Sequence, residues 1–164
     1  MDRGQILLPF AEKEWISVDR SCSILGIGFT TLYRLRKLRD EQDKPLIDVI
    51  DYGSGRRQRV LYASIVRFCD RLREKYAIPD QRPPLPNEIF RHRDEHLLPF
   101  PLSDTISAKD ALSCLGYDSL DPVWNFCEEG AFHSYQILPE PGSPWRISRA
   151  DFSRWLDSRR NPQR

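Results

Sequence analysis

No apolar run in this sequence approaches the roughly 20 residues that a helix needs to cross a bilayer. The first ten residues, MDRGQILLPF, lack the layout of a secretory leader. Both absences point to a cytoplasmic chain. The four cysteines, Cys22, Cys69, Cys114 and Cys127, form no CxxC pair. They lie in helical patterns, which predicts buried, reduced thiols rather than a metal site or disulfides. His92 and His96 stand four apart, but no HExxH frame or third ligand accompanies them, so no metal is expected. His92-Arg93-Asp94 matches a fragment of a kinase catalytic loop, without a glycine-rich loop or other kinase motif. A nucleophile-and-base motif, a phosphate loop and a paired-carboxylate frame are all missing. The sequence therefore predicts neither an enzyme nor a cofactor.

Net charge is also nearly missing, at +1 over 164 residues. Its distribution is uneven. From Trp15 to Ile78 there are 13 Lys and Arg against 8 Asp and Glu. From Ser103 to Asp157 there are 4 against 9. A basic half and an acidic half suggest divided labour.

What the chain does contain is a repeat. Ile16-Ser17 through Leu25-Gly26 aligns with Ile106-Ser107 through Leu115-Gly116 at an offset of 90. Arg59-Val60, Ser64-Ile65 and Phe68-Cys69 align with Arg146-Ile147, Asp151-Phe152 and Trp155-Leu156 at an offset of 87. Between these blocks, Leu32-Tyr33-Arg34-Leu35 aligns with Val123-Trp124-Asn125-Phe126.

Each copy reads as the same run of elements. Ser17 or Ser107 N-caps a first helix, which Gly26 or Gly116 closes, and Asp110 completes a rough capping box with Ser107. A second helix follows, about Phe29–Arg39 and Asp121–Glu129, with Pro122 at a position that suits it. Next comes a two-strand pattern. In the first copy Ile47–Tyr52 goes out and Gln58–Tyr62 returns; in the second, Phe132–Leu138 and Trp145–Ile147 do so. A last helix spans about Ala63–Tyr76 and Arg149–Arg159, with Ser148 capping the latter. Leu25, Leu32, Leu35, Ile65 and Phe68 read as the core of copy one. Leu115, Val123, Phe126, Phe152, Trp155 and Leu156 read as that of copy two.

The order is helix, turn, helix, hairpin, helix. It predicts a mainly α (α+β) protein with small β-hairpin wings, in two tandem winged helix-turn-helix domains. The domains are 1–78, basic, and 102–164, acidic with a basic tail, joined by a proline-rich linker, 79–101. Six prolines make that linker extended and semi-rigid, with room for a short helix over Asn87–Leu98. The PxxP-like Arg82–Pro86 is read as part of this stiff spacer.

Residues 16–35, with their Leu-Gly followed by Thr-Thr-Leu-Tyr-Arg-Leu, resemble the opening of excisionase and MerR-type winged-helix domains. Gly55-Arg56-Arg57-Gln58-Arg59-Val60, then Ser64-Ile65 and Phe68, resemble that family's wing and closing helix. The resemblance covers most of 15–76 and recurs more weakly over 105–158. It implies binding of double-stranded DNA, with the second helix in the major groove and the wing on the backbone or minor groove. The implied role is an architectural recombination factor or a transcription regulator. This sequence departs from the pattern in three ways. Phe29 stands where relatives often carry a polar or basic residue. The second copy lacks a basic recognition helix. No long C-terminal coiled-coil helix follows.

On this reading Thr30, Thr31 and Arg34 meet base edges, and Arg36, Lys37 and Arg39 reach phosphates. Ser54, Arg56, Arg57 and Arg59 supply the wing, although the repeat partner of Arg59, Arg146, suggests a shared structural role. Tyr33 and the matching Trp124 read as packing residues rather than stacking platforms. In the second copy Asp121, Glu128 and Glu129 oppose phosphates. That copy either contacts protein, including another copy of the chain, or binds DNA through Asn125, His133, Arg146 and the tail 159–164. A protein–protein adaptor whose winged helices no longer read DNA is the rival expectation.

Overall fold

A computed structural model describes residues 14–51, 53, 58–79, 93–140 and 143–160. It is an α+β protein with six α-helices among these residues and two three-stranded antiparallel sheets. No helix among them is long and apolar enough to cross a membrane.

Unit one runs β1 (Trp15–Ser17), α1 (Val18–Leu25), α2 (Phe29–Leu35), β2 (Val49–Asp51), β3 (Gln58–Leu61) and α3 (Tyr62–Lys75), of which the last two residues fall in unit two. Unit two repeats the order with β4 (Thr105–Ser107), α4 (Ala108–Leu115), α5 (Asp121–Glu129), β5 (Ser134–Gln136), β6 (Trp145–Ser148) and α6 (Arg149–Arg159). Short 3-10 turns occupy Arg93–His96 and Leu102–Asp104.

The repeat extends to strand register. In unit one β3 lies centrally, with Val60 opposite Ile16 on one side and Val49 on the other. In unit two β6 is central, with Ile147 opposite Ile106 and Ser134. Val60 and Ile147 are both fully buried, so one apolar residue anchors each sheet to its helices. Two further bonds recur. Leu61 N donates to Asp48 O at 2.9 Å, and Ser148 N to His133 O at 2.9 Å. Asp48 N donates to Ser64 Oγ at 3.1 Å, and His133 N to Asp151 Oδ2 at 3.3 Å.

Three helix starts and two helix ends fall where the sequence signals predict. Ser17 Oγ accepts from Arg20 N at 3.1 Å, and Ser107 Oγ from Asp110 N at 3.1 Å, with the full capping box present at Ser107. Ser148 Oγ accepts from Asp151 N at 3.3 Å. Gly26 and Gly116, with φ of 63° and 73°, end α1 and α4 in a left-handed turn that a side chain would strain.

Both cores are built from the expected apolar stripes. Leu25, Leu32, Leu35, Ile65 and Phe68 are buried in unit one, joined by Ile16, Ile47 and Tyr62. In unit two Val123 and Phe152 are buried with Ala111, Phe132, Trp145 and Ile147. Leu115, Phe126, Trp155 and Leu156, expected as core, pack against it while partly exposed. Phe132, Phe152 and Trp155 meet ring on ring at 5.3–6.1 Å, which gives this small unit much apolar contact per residue.

Several features differ from the sequence reading. Strands β1 and β4 are absent from it, because three residues are too few to display alternation. The second helix of unit one stops at Leu35, not Arg39. Lys37 N and Leu38 N bond to Arg34 O and Leu35 O, a tightening to i,i+3 geometry, and Arg39 then bridges to Pro45. Asp40 Oδ1 accepts from Gln42 N and Lys44 N at 2.8 and 2.9 Å, so a side chain takes over the backbone there. Of the short helix expected over Asn87–Leu98, residues 87–92 lie outside the described residues, and the rest holds only the 3-10 turn. Cys69 and Cys127 are buried as expected, but Cys22 is half-buried and Cys114 exposed; none forms a disulfide.

The chain divides into two compact units. Among the described residues, unit one takes in 14–73, 79 and 93–99, and unit two takes in 74–78 and 100–160. Much of the described part of the proline-rich stretch thus belongs to unit one. Arg73, 6 % exposed, is the physical reason. Its Nη2 donates to His96 O at 2.9 Å and Leu98 O at 2.7 Å, while Leu97 and Leu98 are themselves buried. Asp94 fastens the same segment. It accepts from Arg20 Nε at 2.9 Å, Arg20 Nη2 at 3.1 Å and Tyr62 Oη at 3.2 Å.

Candidate nucleic-acid interface

Helix α2 is positioned by two inward leucines, Leu32 and Leu35, spaced to face the core of unit one. The outer face follows from the same period. Thr30 and Arg34, four apart, are both exposed, and exposed Lys37 lies just past the helix end. Thr31 is half-buried. Three of the six residues expected to touch DNA from this segment therefore share one outward surface.

The side of α2 next to the hairpin is tied down. Tyr33 Oη donates to Gln58 Oε1 at 3.4 Å, and Gln58 Nε2 donates to Asp51 Oδ2 at 3.3 Å. Gly53 N donates to Asp51 Oδ1 at 2.9 Å. That backbone bond, then Gln58 and the charge of Arg36, holds the Asp51 carboxyl below its ordinary range. Gln58 is buried, so this chain of bonds satisfies a polar side chain that would otherwise be costly. It also fixes the angle between α2 and the β2–β3 hairpin. Tyr33 accordingly serves packing, as its sequence position suggested.

Arg36 is half-buried, its guanidinium 4.9 Å from the Tyr33 ring centre. Arg39 is exposed, donates to Asp43 O at 2.9 Å and pairs with the Asp43 carboxylate at 3.8 Å. Arg59 is exposed on β3, opposite Ser17 and Ile50, and its Nη1 donates to Gln58 O at 3.0 Å. Ser54, Arg56 and Arg57, the tip of the expected wing, lie outside the described residues.

In unit two the residues suggested for DNA fall on three elements. Asn125 is exposed on α5, beside exposed Asp121, Glu128 and Glu129. Arg146 is half-buried on β6, opposite Ser107 and Tyr135. His133 precedes β5, and its Nδ1 pairs with Asp151 Oδ2. Arg154 pairs with the other oxygen of Asp151. His133, Asp151 and Arg154 line an open groove of about 380 Å³ with Phe132 and Trp155; Asn125 and Arg146 do not line it. The repeat explains the core of this arrangement. Asp151 stands where unit one has Ser64, and each accepts the backbone N–H of the residue before its strand. Asp151 is thus a helix-start and hairpin anchor, and His133 is held by it.

The sequence reading missed the exposure of Phe29, at 51 %, and the role of Asp151. It also missed the Arg73 and Asp94 contacts. Two of these carried a signal: Phe29, as an aromatic at a position where the family pattern is polar, and Asp151, as the third residue of a Ser148-capped helix and the repeat partner of Ser64. Among the described residues no group of three or more His, Cys, Asp or Glu could hold a metal ion.

No family model, curated protein or solved structure matches the chain. The likeness to excisionase and MerR-type domains rests on the motifs of this sequence alone.

Proposed function

We propose that this chain is a sequence-selective double-stranded DNA-binding protein built from two tandem winged helix-turn-helix units. Its role is that of an excisionase-like architectural factor or a transcription regulator of a mobile element, plasmid or phage. It acts in the cytoplasm, without cofactor or catalysis.

The observation that carries this reading is the outer face of α2. Leu32 and Leu35 face inward while Thr30, Arg34 and Lys37 are exposed, on the unit that holds the excess of positive charge. In the reading, α2 enters the major groove. Arg34 donates to guanine O6 and N7, Thr30 and Thr31 meet base edges, and Lys37 and Arg39 neutralise phosphates. Arg56 and Arg57 of the expected wing meet the backbone or minor groove. Arg36 backs the helix through Tyr33 rather than reaching outward.

Unit two takes a different part. Asp121, Glu128 and Glu129 are exposed on α5, the helix equivalent to α2, and three carboxylates repel phosphate. That unit contacts protein, either a second copy of the chain or another partner. The same observation supports the rival, an adaptor in which neither unit reads DNA.

The test is selection of the full chain on random duplex DNA at several salt concentrations. Enrichment of a defined site, with affinity falling steeply as salt rises, is the expected result. Absence of binding at low salt would leave the adaptor.

A further inference from the structure

Phe29 opens α2 beside Thr30 and is 51 % exposed. A single half-exposed phenylalanine says little, since apolar groups contribute much of any protein surface. Three features set this one apart. Its ring packs edge-on against Tyr33 with centroids 4.6 Å apart, and Tyr33 is in turn fixed by Gln58 and Arg36. The ring is therefore held while still facing solvent. Next to it lies a small gap lined by Val18, Phe29, Leu32, Tyr33 and Val49, with Arg36 and Gln58 on its polar side. Its volume is about 10 Å³, no more than one water-sized probe, so an incoming methyl group packs on the rim of the gap and on the Phe29 ring itself. Finally, Phe29 lies at the edge of the outward face of α2 that carries exposed Thr30, Arg34 and Lys37, so the apolar spot borders a surface suited to a polyanion.

A partner that is anionic outside and offers an isolated methyl group inside is duplex DNA with a thymine. The 5-methyl of thymine is the apolar mark in the major-groove edge pattern, and aromatic side chains read it by contact. We propose that Phe29 is a specificity-determining residue that reads the 5-methyl group of a thymine in the major groove. The inference rests on the DNA-binding reading and names the base feature that α2 selects.

The experiment starts from duplexes that the full chain enriches from a random pool. They are resynthesised with deoxyuridine replacing thymidine, one position at a time. Uracil keeps every hydrogen-bonding group of thymine and lacks only the methyl. Loss of one buried methyl weakens binding by about fourfold, so one or two positions should show that loss. Phe29→Ala should bind the thymine site about fourfold more weakly and lose its preference for thymine over uracil at those positions. Phe29 is half outside, so this variant keeps the buried leucines of α2, and its circular dichroism should match that of the parent.

Selective binding that ignores uracil at every position would overturn the methyl reading and leave the DNA reading intact. A selected site with no thymine-enriched position, or an unchanged uracil effect in Phe29→Ala, would overturn it too. Failure to enrich any duplex would remove both readings together.

Discussion

Asp70 and Arg73 form an i,i+3 pair near the end of α3, at 3.1 Å; 87 residues on, Asp157 and Arg160 form the same pair at the end of α6, at 3.7 Å. In unit one the Arg73 side chain is 7 % exposed. In unit two both members are 72 % exposed. The difference lies in what covers the pair. Residues 93–99 pack over Arg73 and give it two backbone carbonyls, so a charge that is solvated in one copy is an internal fastener in the other. A repeat thus conserves a position without conserving its energetic weight, which burial decides.

The largest expected effect follows directly. Arg73→Ala leaves Leu98 O and His96 O without their donor and should cost about 3–5 kcal/mol of folding stability. Arg160→Ala should change stability by no more than about 0.5 kcal/mol, as exposed ion pairs do. Urea midpoints of the full chain measure both. Equal, small losses would mean that residues 93–99 are held to unit one by Asp94 and the leucines alone.

The units should also separate by pH. Burial pushes the Cys127 thiol of unit two up to about 11. The folded state then holds the proton more tightly than the unfolded one. Its contribution is complete below the ordinary thiol value, near 9, and is lost as pH rises toward 11. That loss is on the order of 2 kcal/mol, and Cys127→Ala should flatten it. In unit one Asp40 and Asp51 are held low, first by the Lys44 and Gly53 backbone N–H groups respectively. Their contribution is present above the ordinary carboxylate range and is lost as pH falls through their depressed values. Trp124, Trp145 and Trp155 report on unit two by fluorescence, against Trp15 alone in unit one. The alkaline change should therefore dominate the tryptophan signal, and the acid change should move far-UV circular dichroism before it moves that signal.

Function should divide along the same line. Arg34→Ala is expected to weaken binding to the selected site about ten- to a hundredfold and to relax base choice at one position. Lys37→Ala, and Arg56→Ala with Arg57→Ala, should weaken all duplexes nearly alike and make the salt dependence shallower. Asn125→Ala on the acidic α5 should leave affinity within about twofold. A sequence-independent loss from Arg34→Ala would remove its base-reading role, and a large loss from Asn125→Ala would bring unit two onto the DNA.

Much of this contrast is legible in the residues alone. Ser17, Ser107 and Ser148 announce three helix starts, because a short hydroxyl before an apolar-periodic run has one favourable use. Gly26 and Gly116 announce two helix ends. The alignment of Val60 with Ile147 anticipates the shared sheet register, and Leu32 and Leu35 anticipate which face of α2 is inward. What the sequence hides is tertiary. The early end of α2 depends on Asp40 capping Gln42 and Lys44 and on the bridge from Arg39 to Pro45, none of which periodicity encodes. Proline content makes 79–101 read as a spacer, while the acceptors that bind Arg73 are backbone carbonyls, which any sequence possesses. Of the candidate interface, the residue types are readable and their exposure only partly so. Arg34 and Lys37 lie outward, whereas Arg36 folds back over Tyr33 for reasons of local packing.

A smaller stability effect than that of Arg73 concerns the third position of the first helix in each unit. In unit two Asp110 occupies it and accepts from Ser107 N at 3.2 Å, closing the capping box of its own helix. In unit one Arg20 occupies it and turns away, to Asp94 and Glu14. The Asp94 bonds hold the Arg20 guanidinium above its ordinary value. Asp110→Ala should cost about 0.5 kcal/mol, a local capping loss that is indifferent to the state of residues 93–99. Arg20→Ala should cost about 1 kcal/mol, discounted because both partners are more than a third exposed. The discriminating measurement is a double-mutant cycle. Arg20→Ala and Asp94→Ala should couple by about 0.5–1 kcal/mol, while Asp110→Ala and Asp94→Ala should add without coupling. If Arg20 and Asp94 also prove additive, Arg73 is the electrostatic tether of this segment by itself, and the first-helix position differs between the units in chemistry but not in consequence.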